Sequence, residues 1–128
     1  MKESEIWRHI NLIQKKQKTW HFVRIESSTI NGIPDVNACM DGNEFWLELK
    51  SNDAKNYGIS KYQINWFLKR NRSGGKAFIL HYSLLKTEFK ILEIRETGLP
   101  FPVSRFPLRT PHSTIKRALQ ELALRAAA

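Results

Sequence analysis

The sequence predicts an α/β protein with a mixed β-sheet flanked by helices, and three local patterns support this class. Isoleucines recur at helical spacing near the N-terminus, at Ile6, Ile10 and Ile13. An Asp41-Gly42 pair then separates two alternating runs of polar and apolar residues, which is a strong hairpin signal. A second helix pattern leads into further apolar strands. The expected order is helix, three strands, helix and strand, with a C-terminal addition.

The N-terminal part is predicted to form one helix and one strand. The helix is expected from about Glu3 to Lys18, where a cationic last turn would complement the helix dipole. The strand is expected from Trp20 to Ile25, before a polar segment from Glu26 to Ser28.

The register of the hairpin follows from the position of its turn. Strands that pair symmetrically about Asp41-Gly42 place Ala38 opposite Phe45 and Asp35 opposite Glu48. Alternation puts the apolar side chains on one face and the two acids on the other. Because opposed Cβ atoms lie roughly 5 Å apart, like charges there destabilise a sheet unless something offsets them.

Lys50 lies on the same face as the two acids, and its positive charge is a candidate to offset their repulsion. Two carboxylates suit Mg²⁺, which binds one or two of them and keeps positions for water and phosphate oxygens. Lys50 would then stabilise the attacking water or the developing phosphate charge. The alternative is a solvent-facing hairpin with solvated charges, in which Lys50 and Asp35 form a weak surface ion pair.

Pro34-Asp35 followed by Glu48-Leu49-Lys50 resembles the active-site signature of the PD-(D/E)XK nuclease superfamily. The flanking residues make the resemblance closer to the VRR-NUC branch and the related Holliday-junction resolvases, over roughly residues 1–83. The flanks are Gly32-Ile33, Trp46-Leu47, Ile59-Ser60 with Gln63 and Trp66, and Gly74-Gly75 before an apolar strand.

This resemblance implies a restriction-endonuclease-like core and a metal-dependent endodeoxyribonuclease. The cofactor would be Mg²⁺, with Mn²⁺ able to substitute. The substrate would be branched or structured DNA, and the enzyme a homodimer if two symmetric strands are cut. Asp35, Glu48 and the Leu49 backbone carbonyl would bind the metal, while Lys50 assists the nucleophile.

The resemblance further implies an acid near the start of the first helix. Glu3 projects to the same side as Ile6 and Ile10, whereas Glu5 does not, so Glu3 is the preferred further metal ligand. Family spacing does not choose between the two acids. An acid in the first turn also simply favours the helix dipole, and that explanation suffices for Glu5.

The second helix is predicted from its N-terminal signals. Ser60 as N-cap places Gln63 at the third helical position, which makes a capping box, and Ile59 and Ile64 form a hydrophobic staple. Capping explains Gln63 completely, while the resemblance implies a role in orienting the site, and both interpretations stay open. The basic surface of this helix is the predicted nucleic-acid contact: Lys61, Lys69, Arg70 and Arg72.

Two strands and a helix are predicted in the C-terminal part. The strands are Lys76 to Tyr82 and Phe89 to Ile94, and Gly98 to Pro111 is expected as a proline-rich crossing without a strand. Ser113 or Thr114 is expected to cap the last helix. We expect one domain over residues 1–128.

Within that domain, the core is expected over about residues 1–95 and a C-terminal extension over about 96–128. Apolar residues recur at helical spacing in the last helix: Ile115, Ala118, Leu119 and Leu122.

Composition agrees with a nucleic-acid partner. Lys and Arg outnumber Asp and Glu by 21 to 12, which gives a net charge of +9 and favours polyanions. The single cysteine excludes an internal disulfide and is typical of a reducing, cytoplasmic setting. We find no apolar run long enough to span a membrane.

Other functions are weighed against nucleolysis. The four histidines lack metal-ligand spacing. A nuclease-like fold that only binds nucleic acid, or an interaction protein using its basic face, are the alternatives. Of four tryptophans, Trp46 shares the acidic face and is the candidate for stacking on unpaired bases.

Overall fold

The computed structural model describes residues 1–27 and 29–128, so Ser28, at the end of the predicted polar segment, lies outside the described residues. The described chain forms a six-stranded sheet whose strands lie in sequence order. The elements are α1 (Glu3–Gln14), β1 (Trp20–Arg24), β2 (Val36–Met40), β3 (Asn43–Ser51), α2 (Lys61–Arg72), β4 (Ala77–Ser83), β5 (Glu88–Ile94), β6 (Pro100–Pro107) and α3 (Pro111–Ala127).

Helices cover both faces of this sheet. α1 and α3 pack on one face in the larger apolar cluster, and α2 packs on the other face in a smaller one around Phe67. α2 connects β3 to β4, which are parallel, while the other neighbouring strands pair antiparallel. The predicted class, a mixed sheet flanked by helices with a C-terminal helix, is confirmed.

The predicted hairpin register is also confirmed. β2 and β3 pair Ala38 with Phe45 and Val36 with Leu47, and Asp35 lies one residue before β2. Glu48 is only 3% exposed because α2 covers its face of the sheet. The alternative of a solvent-facing hairpin is therefore wrong for Glu48.

The end of the first helix differs from the prediction. α1 ends at Gln14, so the cationic residues up to Lys18 lie beyond the helix. The side chain of Gln14 accepts a hydrogen bond from the Phe22 N–H (2.7 Å) and donates one to the Phe22 carbonyl (3.1 Å). These bonds tie the helix end to β1, and the chain turns back where the prediction continued the helix.

The proline-rich segment Gly98 to Pro111 contains a strand, which the sequence prediction missed. β6 pairs with β5 at the edge of the sheet, where proline is tolerated because one side of the strand needs no hydrogen-bonded neighbour. Residues 96–128, expected as an extension, thus contribute a strand to the sheet and a helix to the larger apolar cluster. No helix of the described residues is long and apolar enough to cross a membrane.

The cap of the last helix also lies earlier than predicted. Thr110, rather than Ser113 or Thr114, is the N-cap, and its side chain accepts a hydrogen bond from the Ser113 N–H (3.2 Å). Pro111 occupies the first turn, where its missing N–H has no intrahelical partner to lose.

Candidate active site

The two carboxylates that the sequence placed opposite each other are neighbours in the structure. The Asp35 N–H donates to Oε1 of Glu48 (3.2 Å), and the Leu49 N–H donates to Oδ2 of Asp35 (2.9 Å). These two bonds link backbone N–H groups to carboxylate oxygens just before the start of β2. They fix Asp35 beside Glu48 through the backbone, so the proximity of the two acids follows from the fold itself.

Two further side chains hold the other oxygen of Glu48. The Lys50 Nζ lies 3.3 Å from Oε2, and the Gln63 Nε2 donates to the same atom at 2.8 Å. Lys50 reaches Glu48 because the two residues are adjacent on one face of β3. The structure therefore brings together Asp35, Glu48, Lys50 and Gln63, all of which the sequence selected.

The surroundings of Glu48 disfavour its charged form. Burial raises the pKa of Glu48 to about 8, and the Asp35 charge adds to this effect while Lys50 opposes it. Lys50 alone does not offset the two acids. At neutral pH the raised pKa consequently favours the protonated form of Glu48.

Gln63 makes a helix-capping contact and a contact with Glu48, so its geometry is compatible with both interpretations that the sequence left open. The Gln63 Oε1 accepts a hydrogen bond from the Ser60 backbone N–H (2.9 Å), and the Gln63 backbone N–H donates one to the Ser60 Oγ (3.2 Å). The predicted capping box is therefore confirmed. The Gln63 Nε2 is free for Glu48. Because the oxygen caps the helix and the nitrogen binds the acid, helix capping and site geometry depend on one amide.

Gly32, part of the motif before Asp35, has a structural role that the sequence pattern did not predict. Gly32 has φ of +82°, and a Cβ there would lie 2.8 Å from the Gln63 nitrogen and closer still to the Tyr62 carbonyl. The loop before Asp35 thus rests on the backbone of the first turn of α2. The Gly-Ile-Pro-Asp sequence carried a signal for this, since glycine favours positive φ and close backbone approach.

Glu3 lies near the cluster at the start of α1. Partial burial and the Asp35 charge raise the pKa of Glu3, while Lys50 and Arg24 lower it. Glu5 instead accepts a hydrogen bond from the Lys2 N–H (3.3 Å), which is a helix-start role. Within the described ranges, no three His, Cys, Asp or Glu residues are gathered so as to hold a metal.

All four expected metal ligands, Asp35, Glu48, the Leu49 carbonyl and Glu3, therefore stay predictions. Glu3 is not part of a preassembled three-carboxylate cluster. For Leu49, the structure shows the N–H bound to Asp35, and the carbonyl remains the expected ligand. Arg24, which the sequence analysis did not select, is a further charge near Glu3.

The four predicted nucleic-acid contacts of α2 differ in their surroundings. Lys61 and Lys69 are exposed, Arg70 lies over the Trp66 ring, and Arg72 is paired with Glu96 through its Nε at 2.8 Å. Trp46, the candidate for base stacking, packs edge-on against Trp66 with ring centroids 5.4 Å apart. It belongs to the apolar cluster beneath α2.

The geometry of Gln63 makes a stability prediction. We expect Gln63→Glu, measured in EDTA near pH 6, to have a melting temperature close to that of wild type. The new carboxylate still caps the helix, and it accepts a hydrogen bond from the protonated Glu48. Above pH 8 the two carboxylates repel, so the melting temperature should fall more steeply than that of wild type.

Gln63→Ala is the control for this prediction, since it removes both bonds and should be destabilised at every pH. A Gln63→Glu variant whose pH dependence equals that of wild type would mean that residue 63 does not face Glu48.

The fold and the site define an α/β protein in which buried Glu48 and the neighbouring Lys50 lie on β3, beside the half-buried Asp35 that precedes β2. No protein-family model matches the sequence. No curated protein matches it either. Among solved structures, the chain is similar to Hjc, a Holliday junction resolvase from the archaeal hyperthermophile Archaeoglobus fulgidus. The identity is 16%, the match covers 76% of this chain and 85% of that chain, and the TM-score is 0.47.

Proposed function

We propose that this protein is a metal-dependent endonuclease that hydrolyses phosphodiester bonds in branched or structured DNA. The observation that carries the proposal is that buried Glu48 contacts Asp35, Lys50 and Gln63 in one cluster. The net charge of +9 supports a polyanionic substrate. The preference for branched DNA rests on the resemblance of the Pro34-Asp35 and Glu48-Leu49-Lys50 motifs.

The donor set of the cluster fits Mg²⁺. Asp35 and Glu48 offer carboxylate oxygens, which hard cations prefer, and two protein carboxylates leave positions for water and phosphate. Burial and, after it, the Asp35 charge raise the pKa of Glu48, and a bound cation would favour its ionised form. The Leu49 carbonyl and Glu3 are the proposed additional ligands. When bound, Mg²⁺ would act as a Lewis acid toward the scissile phosphate, and Mn²⁺ would substitute.

The protein's own residues have separate tasks in this proposal. Lys50, with 14% of its side chain exposed, is the positive group at the surface of the cluster and stabilises the charge that develops on the phosphate. Gln63 positions Glu48 through a hydrogen bond from its uncharged amide group. Gly32 positions Gln63 by letting the Asp35 loop approach α2.

The pKa of Glu48 gives the proposal a pH-dependent stability signature. In the folded state the pKa is raised to about 8 from an ordinary 4.5, so this group stabilises the fold fully below pH 4.5 and loses that contribution as pH rises through about 8. In EDTA, we expect the melting temperature of wild type to fall between pH 6 and pH 9.

Asp35→Asn tests this signature, because it removes the charge while an amide oxygen still accepts from the Leu49 N–H. The variant should be as stable as wild type or more stable in EDTA, with a shallower fall toward pH 9. Mg²⁺ should raise the melting temperature of wild type only. Equal stabilisation of both proteins by Mg²⁺ would exclude Asp35 from the metal site.

A panel of labelled DNAs tests the proposed substrate. Duplex, flap, four-way junction and single strand are incubated with the purified protein and Mg²⁺, Mn²⁺ or EDTA. Cleavage of the junction or flap in preference to plain duplex, and only with metal, is the expected result. Binding without cleavage under every condition would favour a protein that only binds nucleic acid, and no binding would favour an interaction protein.

A further inference from the structure

A second cationic feature lies at the far end of α2 from the carboxylate cluster. A cavity of about 490 Å³ opens there, where the helix ends and the chain turns into β4. It is lined by Trp66, Lys69, Arg70, Ser73, Gly74 and Gly75.

Arg70 is held in a fixed position beside this cavity. Its guanidinium carbon lies 4.7 Å from the Trp66 ring centroid and 5.6 Å from that of Trp46, so the side chain lies over both indoles. A Cβ on Gly75 would lie 2.9 Å from the Arg70 Cγ and closer to its Cδ. The absence of a side chain at Gly75 therefore provides the space that the arginine occupies.

The charge of Arg70 is available for a ligand. Within the part of the chain that the structure describes, neither Arg70 nor Lys69 forms an ion pair, and the Arg70 side chain makes no hydrogen bond. Arg72, only two residues away, is instead bound by Glu96. The two arginines carry the same charge, but Arg70 is unpaired and stacked on indole rings, whereas Arg72 is paired with the Glu96 carboxylate.

An unpaired, preorientated guanidinium beside a second cation is suited to a phosphate group. Its planar fork offers several N–H donors in the geometry of a phosphate, and stacking reduces the entropy lost on binding. Arg70 follows Gln63 by seven positions, which is about 10 Å along the helix axis. Because one DNA strand carries a charge every ~3.4 Å of axis, this distance corresponds to roughly three nucleotides.

We propose that Arg70, stacked on Trp66 and Trp46 and supported by Lys69, binds one backbone phosphate of the DNA about three nucleotides from the bond that is cut. This inference rests on the proposed nuclease function. It identifies where the substrate strand runs, along α2 from the carboxylate cluster to the Gly74-Gly75 turn. Arg72, although equally basic, contributes no contact.

The salt dependence of binding tests this site. Affinity for a labelled four-way junction is measured in EDTA at several NaCl concentrations for wild type, Arg70→Gln and Arg72→Gln. Loss of one phosphate contact should reduce the slope of log K against log salt by about 0.9 in Arg70→Gln, with binding weakened roughly tenfold at physiological salt. Arg72→Gln, which loses the same formal charge, should keep the wild-type slope.

Two further variants guard against misfolding as the cause. Gly75→Ala displaces the Arg70 side chain without changing the net charge and should weaken binding about as much as Arg70→Gln. Arg70→Lys keeps the charge but loses the planar stack, so it should recover only part of the affinity. Melting temperatures of all variants are recorded beside the binding curves.

Junctions with one uncharged methylphosphonate at successive positions then locate the contact. A methylphosphonate near the third phosphate from the cut should weaken binding by wild type and by Arg72→Gln. The same substitution should cause no additional loss of affinity in Arg70→Gln. Equal salt slopes and equal position profiles for the two arginine variants would overturn the inference while leaving a wild type that cleaves DNA intact. A wild type that binds no DNA would overturn the nuclease proposal itself.

Discussion

Lys50→Met should reduce DNA cleavage by at least roughly 100-fold while leaving DNA affinity within a few-fold of wild type. Methionine keeps the apolar stem of a side chain that is largely buried, so the change removes mainly the charge. The ammonium lies 3.3 Å from Glu48, and in the proposed mechanism it stabilises the charge that develops on the phosphate. An interaction that strengthens in the transition state acts on rate rather than on binding.

The measurement is single-turnover cleavage of a labelled junction with Mg²⁺, beside an affinity measured in EDTA. Lys61→Ala is the matched control, because Lys61 is an exposed lysine on α2 without a contact to Glu48. It should cleave at the wild-type rate once bound. Equal losses of binding and cleavage in Lys50→Met would make Lys50 an affinity residue, and full activity would remove it from the site.

Gly32→Ala should be the most destabilising of the glycine substitutions near the site. An alanine would be strained at φ of +82°, which costs about 1 to 2 kcal/mol, and its Cβ would overlap the backbone of Tyr62 and Gln63. Overpacking against backbone adds about 1 to 3 kcal/mol. To relieve the overlap, the first turn of α2 must move away from Asp35, and the Gln63 to Glu48 bond lengthens.

Gly42→Ala separates these two effects. Gly42 has a similar φ of +86°, but nothing lies within 4 Å of its Cβ position, so only the backbone strain applies. Chemical denaturation should show a larger loss of stability in Gly32→Ala than in Gly42→Ala, and only Gly32→Ala should also lose cleavage under conditions where it is folded. Equal effects in the two variants would mean that the contact between Gly32 and α2 does not position the site.

The sequence was sufficient for the part of the site that depends on one hairpin. The Asp41-Gly42 turn fixes which residues of β2 and β3 face each other. That register places Asp35 beside Glu48, and Glu48 contacts Lys50 on the same face of β3. Local chemistry also fixed the start of α2, since Ser60 and Gln63 cap the helix through their own backbone and side chains. These relations are short in sequence and leave little for tertiary structure to change.

The remaining features depend on contacts between distant segments. Nothing in the pattern around Gly32 specifies that it meets Tyr62 and Gln63, thirty residues later, and nothing around Gln63 shows that its amide nitrogen reaches Glu48. β6 was missed because its prolines argue against a strand, and only its edge position makes them acceptable. The sequence predicts Trp46 as a base-stacking candidate because the hairpin pattern does not show that α2 covers it.

The central claim is that Asp35 and Glu48 support metal-dependent cleavage of DNA. Its most direct test is single-turnover cleavage of a labelled four-way junction by wild type, Asp35→Asn and Glu48→Gln, each purified identically and assayed with Mg²⁺ and with EDTA. We expect site-located cuts by wild type with Mg²⁺, no cuts in EDTA, and a rate at least roughly 100-fold lower for either variant. Cleavage that persists at the wild-type rate in both variants, or a wild type that binds the junction and never cuts it, would contradict the claim.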